Sequence, residues 1–213
     1  MLDLTCGTGS LVFYLSERSY DVIGSDFSSP LLKIAREKAT SIKRGIQFFD
    51  GDMRYIKIRK FDTAITMFNA IGHLTKDEFE EALRNIYSNL KDDGIYIFDI
   101  FNLEAITDEV VSTFVMDIDK IINGVRVHNT QYSEVDRANG LLTSHDTYTI
   151  LKDPTSPEIK TNTFSLHLYS AVELKDILQK NGFQMLEQYD MNGHDFTPPK
   201  NINILTVVKK LPV

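Results

Sequence analysis

The chain has 213 residues, 42% of them hydrophobic, which supplies enough apolar material for a folded α/β domain and excludes a disordered chain. The net charge of −7, without any cluster of Lys and Arg, disfavours a nucleic-acid partner, because such proteins need a basic surface for the phosphates. A single cysteine excludes an intrachain disulfide and fits a cytoplasmic location, and no apolar run is long enough to span a membrane.

Along the first hundred residues, apolar runs alternate with segments of helical periodicity. Buried strands are predicted at residues 1–4, 21–25, 46–49, 61–67 and 95–100. Helices are predicted at 10–18, after a cap at Ser28 or Ser29, and after the capping box of Thr75 and Glu78. Such strand–helix repeats favour an α/β fold with a Rossmann-like, doubly wound and mostly parallel sheet, since right-handed crossovers cover both its faces.

The residue pattern changes at residues 109–169, where the helical periodicity disappears. Runs of Thr, Val, Ile and Tyr are separated by turn signals at Asn123–Gly124, Asn139–Gly140 and Asp153–Pro154. We expect three or four antiparallel strands there, forming an inserted subdomain that covers the substrate.

The α/β pattern resumes after the insertion, with a helix capped by Ser170 and strands at 183–190 and 202–209. The α/β domain is therefore predicted to comprise residues 1–108 and 170–213. Because residue 1 already lies in the first strand, we expect either that the sequence is truncated at its N-terminus or that the protein lacks the segment that normally covers this sheet.

The loop after the first strand carries the strongest functional signal. Gly7 and Gly9 lie where the strand turns into a helix, so a ligand can approach the backbone and its free N–H groups closely. Ligands of open α/β sheets bind outside the carboxyl ends of the strands, and Asp26 ends the second strand. Its carboxylate can accept hydrogen bonds from both ribose hydroxyls of an adenosine. A glycine loop alone fits a plain turn equally well, whereas Asp26 and Asp52 in register favour a nucleoside cofactor.

Two cofactor classes share this geometry. The dinucleotide fingerprint requires a third glycine at the position that Val12 occupies. The acidic Asp3 at the end of the first strand suits the cationic sulfonium and ammonium of S-adenosylmethionine better than a pyrophosphate. The residues thus favour S-adenosylmethionine, with a nicotinamide-dependent oxidoreductase and a catalytically silent adenosine-binding or partner-binding module as alternatives.

Four segments, in order and in register, resemble the class I S-adenosylmethionine-dependent methyltransferase family: Asp3-Leu-Thr-Cys-Gly-Thr-Gly9, Val22–Ser28, Gly51-Asp52-Met53 and Phe61–Leu74. Gly94-Ile-Tyr-Ile-Phe-Asp99 is similar to the fifth strand of that family. The resemblance covers the chain apart from the inserted sheet and implies a methyltransferase.

The resemblance also implies a set of cofactor contacts. Asp3 and the loop residues Thr5, Cys6, Gly7, Thr8 and Gly9 would line the methionine part. Asp26 would bind ribose, and Phe27, followed by Ser28, would pack on adenine. Asp52 would contact the adenine amino group with Met53 beside the ring, while Phe68 and Asn69 would face the methionine and the acceptor.

The acceptor is expected to be a small molecule, methylated by in-line displacement. Because the sulfonium is already a good leaving group, a base is needed only if the acceptor arrives protonated. The candidates for such a base are His73, His145, His167 and Tyr148, although each residue type serves more often in packing or on the surface. No cluster of His, Cys and Asp has the spacing of a metal site.

Overall fold

The computed structural model describes residues 1–153 and 156–212. In chain order its strands are β1 Leu2–Asp3, β2 Ile23–Asp26, β3 Phe48–Asp50, β4 Phe61–Thr66, β5 Leu90–Phe101, β6 Met116–Ile122, β7 Val125–Asp136, β8 Leu141–Asp153, β9 Ser156–His167, β10 Phe183–Tyr189 and β11 Asn203–Lys210. The helices are α1 Ser10–Glu17, α2 Ser29–Ser41, α3 Lys76–Asn89, α4 Asp108–Val111 and α5 Ala171–Lys180, and a short 3₁₀ helix spans Ala70–His73.

Seven strands form the main sheet in the order β3-β2-β1-β4-β5-β11-β10. The strands β3, β2, β1, β4 and β5 are parallel, whereas β11 runs antiparallel to both of its neighbours. This arrangement confirms the predicted Rossmann-like, mostly parallel sheet. The strand order reverses between β1 and β4, so the carboxyl ends of these two strands form the crevice in which such sheets bind ligands.

One face of the main sheet is covered by α3, whose start is fixed by the predicted capping box. The Thr75 side chain accepts a hydrogen bond from the backbone N–H of Glu78, and the Glu78 carboxylate accepts one from the N–H of Thr75 at 2.9 Å. The buried Phe79 of this helix makes edge contacts with Phe98 and Tyr169, at centroid distances of 5.8 and 5.6 Å. No helix in the described ranges is long and apolar enough to cross a membrane.

The opposite face is covered by α1 and α2. Their buried residues Val12, Phe13 and Leu32 pack with Phe48 of β3 in a second apolar cluster. Ser28 is the N-terminal cap residue of α2, as predicted, although its side chain makes no capping hydrogen bond. Helices on both faces leave the edge formed by the strand ends as the open part of the sheet.

The strands β6, β7, β8 and β9 form a separate antiparallel sheet in that order. Asn123–Gly124 joins β6 to β7, and Gly140 lies between β7 and β8, as the turn signals predicted. Pro154 of the third signal lies outside the described residues. Leu142 and Leu166 lie on the face that packs against the α4 segment, and we call this the inner face. The predicted boundaries of the inserted subdomain stay a prediction.

The predicted start of β5 is wrong by five residues. Strand β5 begins at Leu90, directly after α3, and not at Ile95. Leu90 pairs with Phe61 of β4, and the ammonium of Lys91 lies 2.8 Å from the Asp62 carboxylate. Pairing with β4 thus extends the strand through a charged segment that has no strand preference of its own.

Candidate functional site

Two glycines with positive φ shape the loop between β1 and α1. Gly7 has φ +54° and Gly9 has φ +81°. A Cβ atom on Gly9 would lie 2.9 Å from a ring carbon of Phe13, whereas one on Gly7 would meet no atom within 4 Å. Gly9 is therefore required for packing against α1, and Gly7 leaves its side of the loop open to a ligand.

Asp26 connects this loop with the end of β2. One carboxylate oxygen accepts a hydrogen bond from the N–H of Gly7 and the other from the N–H of Ser28, both at 2.8 Å. The N–H of Gly51 donates to the backbone oxygen of Asp26 at 3.0 Å. The loops after β1, β2 and β3 therefore meet at this residue, and each carboxylate oxygen keeps capacity for a further donor.

A cleft of about 220 Å³ opens beside the glycine loop, between the ends of β1 and β4. Its lining consists of Asp3, Thr5, Cys6, Gly7, Thr8, Ser10, Leu11, Met67 and Phe68. The structure thus brings six of the predicted residues together. Sequence reasoning missed Ser10, Leu11 and Met67, whose only signal is that each adjoins a predicted loop.

Asp3 makes the floor of this cleft acidic. Burial raises the pKa of its carboxyl group to about 7, and the neighbouring charge of Asp26 acts in the same direction. One oxygen accepts a hydrogen bond from the N–H of Thr5 at 3.2 Å. The Thr5 hydroxyl is buried and has no partner among the described residues.

The features of the cleft fit S-adenosylmethionine. Carboxyl groups of Asp3 and Asp26 lie on either side of the glycine loop, where a cation is favoured and a pyrophosphate is not. The unpartnered Thr5 hydroxyl and the open side of Gly7 leave polar groups available to a ligand. Cys6 borders the cleft, but its buried thiol belongs to the apolar cluster beneath, and burial raises its pKa.

The predicted adenine contacts have a different arrangement from the one expected. Arg54 donates to the Asp52 carboxylate through its guanidinium, at 2.6 to 3.1 Å, and through its backbone N–H at 2.8 Å. This pairing lowers the pKa of Asp52 and occupies its acceptor sites. Met53 packs against the main core, while Phe27 is 81% exposed. An adenine contact by Asp52 would thus require a second orientation of its side chain.

Phe68 and Asn69 lie in a strained turn after β4. Their φ values are +64° and +56°, a conformation that non-glycine residues adopt at a cost and often at functional sites. The N–H of Asn69 donates to Asp99 at 3.0 Å, and the Asn69 side-chain oxygen accepts from the N–H of Phe101 at 2.9 Å. Phe68 lines the cleft with a ring that is 77% exposed, whereas the side-chain oxygen of Asn69 is turned towards β5. Asp99, which holds this turn, was not predicted.

Two of the candidate bases are associated with the inner face of the antiparallel sheet. The ring of His73 is 6.2 Å from that of Phe164, a residue of the inner face, and burial lowers the pKa of His73. Tyr148 lies on the same inner face, because it alternates in register with Leu142 along β8.

The other two candidate bases point away from the inner face. The His145 ring stacks on Tyr132 and lies within hydrogen-bond distance of Glu134 and Thr163, at 3.1 and 3.2 Å. His167 lies on that opposite face as well, and burial lowers its pKa. The structure therefore places His145 and His167 on the face of the antiparallel sheet opposite to Tyr148.

Comparisons with known proteins agree with this geometry. Residues 1–94 match a family described as the methyltransferase domain. YqeM of Bacillus subtilis, named as a candidate methyltransferase, is 26% identical over 188 residues, which are 87% of this chain and 73% of that protein. A dTDP-3-amino-3,4,6-trideoxy-alpha-D-glucopyranose N,N-dimethyltransferase of Streptomyces venezuelae is 27% identical over 63% of this chain and 59% of its own length.

The fold has a similar solved counterpart. The crystal structure of an S-adenosylmethionine-dependent methyltransferase from Clostridium acetobutylicum superposes with a TM-score of 0.80 at 19% identity. The match covers 99% of this chain and 83% of that one. The antiparallel sheet lies within this range, so the likeness extends to the whole fold.

Proposed function

We propose that the chain is an S-adenosylmethionine-dependent methyltransferase, an enzyme that methylates a small-molecule acceptor by in-line displacement. The observation that carries the proposal is the contact of Asp26 with Gly7 at the edge of an open, acidic cleft. This contact supports a role of the Asp26 carboxylate in binding the ribose of a cofactor that lies over the glycine loop.

In the proposed reaction, S-adenosylmethionine supplies a methyl group that its sulfonium has already activated. Asp26 binds the ribose hydroxyls, while Asp3 and the backbone around Gly7 hold the cationic amino-acid part. The exposed ring of Phe68 lines the cleft, where it is available to cover the bound reactants and exclude water from them. The protein thus acts mainly by alignment and desolvation of the two reactants.

The inner face of the antiparallel sheet is the proposed cover of the acceptor. It approaches the turn after Phe68 through the contact of Phe164 with His73. The printed name of the Streptomyces venezuelae relative states that it acts on a nucleotide-linked amino sugar, which supports an acceptor of small-molecule size. His73 and Tyr148 are the two candidate bases on this side, and the lowered pKa of His73 favours its neutral imidazole, which is the form that accepts a proton.

Calorimetric titration with S-adenosylhomocysteine and with NAD⁺ tests the proposed cofactor. We expect saturable binding of S-adenosylhomocysteine and none of NAD⁺, because the cleft is acidic and lacks the third glycine. Preferential binding of NAD⁺ would instead favour an oxidoreductase. A screen for S-adenosylhomocysteine formation with amines, alcohols and carboxylates then separates an active enzyme from a silent binding module.

A further inference from the structure

The inner face of the antiparallel sheet carries a group of polar side chains that the proposed cofactor site does not use. We call it the polar cluster, and it consists of Asn129, Gln131, Asp146, Tyr148 and Asn162. Gln131 and Asn162 lie directly opposite Asp146 on the neighbouring strands, and Asn129 lies opposite Tyr148. Opposite and diagonal side chains of antiparallel strands are close enough to contact one ligand together.

Two hydrogen-bond acceptors of the polar cluster lack a donor. Asp146 is 5% exposed, and its carboxylate, to which no described residue donates a hydrogen bond, keeps some contact with solvent. The side-chain oxygen of Asn129 is buried and also unpartnered among these residues, while its nitrogen donates to the sulfur of Met116 at 3.5 Å. The ammonium of Lys160 on β9 lies 3.0 Å from Glu158 and does not neutralise Asp146. Since burying an acceptor without a donor is unfavourable, the Asn129 oxygen lowers the stability of the free chain and is available to a ligand.

The polar cluster lies next to the part of the inner face that reaches the cleft. Phe164, whose ring is 6.2 Å from His73, is opposite Ser144, one alternation before Asp146. Two residues along a strand advance by about 7 Å. Asp146 is thus about one such step beyond the contact of Phe164 with the turn that follows Phe68.

We propose that the polar cluster binds the hydroxyl groups of a polyhydroxylated acceptor of the carbohydrate type, an inference that rests on the proposed methyltransferase function. The Asp146 carboxylate and the Asn129 oxygen supply acceptors for hydroxyl protons. The amide groups of Gln131 and Asn162 supply donors for hydroxyl oxygens. Tyr148 adds an aromatic ring and a phenol, so the cluster combines polar groups in both roles with an apolar surface.

Ligand-observed NMR with protein saturated by S-adenosylhomocysteine tests this proposal. The probes are glucose, methyl glucoside, glucosamine and N-acetylglucosamine, with cyclohexanol and cyclohexylamine as matched rings that lack the array of hydroxyls. We expect binding of at least one sugar at about 10 mM and none of the two controls. Absence of sugar binding, or equal binding of the control rings, would overturn the proposal.

Variants of two adjacent residues locate the binding. Asp146→Leu is expected to weaken sugar binding by about tenfold or more, because it removes a charged acceptor. Thr147→Val, on the neighbouring residue whose side chain faces the other way, is the matched control and should bind as the wild type does. Equal sugar affinity of Asp146→Leu and the wild type would contradict the proposal.

Thermal unfolding of the ligand-free proteins supplies a readout that does not depend on the sugar chosen. If the Asp146 carboxylate is reserved for a ligand, Asp146→Leu raises Tm, since it removes an unpartnered buried acceptor. A lower Tm would assign Asp146 a structural role and overturn the proposal. Binding of S-adenosylhomocysteine without any sugar refutes only this inference, whereas sugar binding without S-adenosylhomocysteine refutes only the proposed function.

Discussion

Asp3 is the residue whose ionisation we expect to control both the stability of the free protein and its affinity for a cationic cofactor. Its side chain is 2% exposed, and burial raises its pKa to about 7. The substitution Asp3→Asn keeps an oxygen that can accept the hydrogen bond from the N–H of Thr5. It removes the charge alone and so isolates the effect of ionisation.

The magnitude follows from the difference between the folded pKa of about 7 and the ordinary value of 3.8. Between these pH values the folded chain retains a proton that the unfolded chain has released, so the free energy of unfolding falls as the pH rises. The loss is complete above pH 7 and amounts to at most about 4 kcal/mol for a shift of ~3 units. Of this fall in the free energy of unfolding, roughly 2–3 kcal/mol occurs between pH 5 and pH 8.

Urea unfolding of the wild type and of Asp3→Asn at pH 5 and pH 8 measures this quantity. We expect the stability of Asp3→Asn relative to the wild type to increase by roughly 2–3 kcal/mol between the two pH values, because all other titrating groups are common to both. The affinity of the wild type for S-adenosylmethionine should rise over the same range, since ionised Asp3 attracts its cation, while that of Asp3→Asn stays flat. A stability difference that is equal at both pH values would refute the reasoning.

Three further predictions follow from the glycine loop and from the start of α3. Asp26→Ala is expected to lower the affinity for S-adenosylhomocysteine by roughly 10- to 100-fold in calorimetry, because a charged hydrogen-bond acceptor is lost; unchanged affinity would contradict the proposed site. Gly9→Ala should lower Tm more than Gly7→Ala, because its Cβ would meet Phe13 at 2.9 Å, whereas Gly7→Ala should mainly weaken cofactor binding; the reverse order would exclude these roles. Thr75→Ala should lower the free energy of unfolding by about 1 kcal/mol in urea through loss of the capping box, and no change would show that the helix start is fixed by packing alone.

Elements with strong local signals could be predicted from the sequence. The capping box at Thr75, the Ser170 cap of α5 and the stop of α5 at Asn181 all lie where the residues placed them. These signals work because each depends on hydrogen bonds within one turn of the chain. The prediction that β5 starts at Ile95 failed. The observed start at Leu90 is determined by pairing with the partner strand β4 and not by the composition of the segment itself.

In the candidate site, too, some features could be predicted from the sequence and others could not. The position of Asp26 and the open side of Gly7 follow from the order of strands and loops, which the sequence pattern predicts. The directions of Asp52 and Asn69 do not follow, since Asp52 pairs with Arg54 and Asn69 with the backbone of β5. The cytoplasmic location and the lack of a nucleic-acid partner stay predictions.

The buried carboxyl groups of the chain differ in how well they are satisfied. Both oxygens of Asp26 accept backbone hydrogen bonds, so this residue shapes the loop whether or not a ligand is bound. Asp99 keeps one fully buried oxygen without a partner among the described residues, whereas Asp146, which is 5% exposed, has no such oxygen. Such groups reduce the stability of a free protein, and they are retained where a ligand supplies the missing donor. Asp99 holds the turn beside the cleft and Asp146 lies on the sheet that approaches it, so both residues lie on the side that we propose for the acceptor.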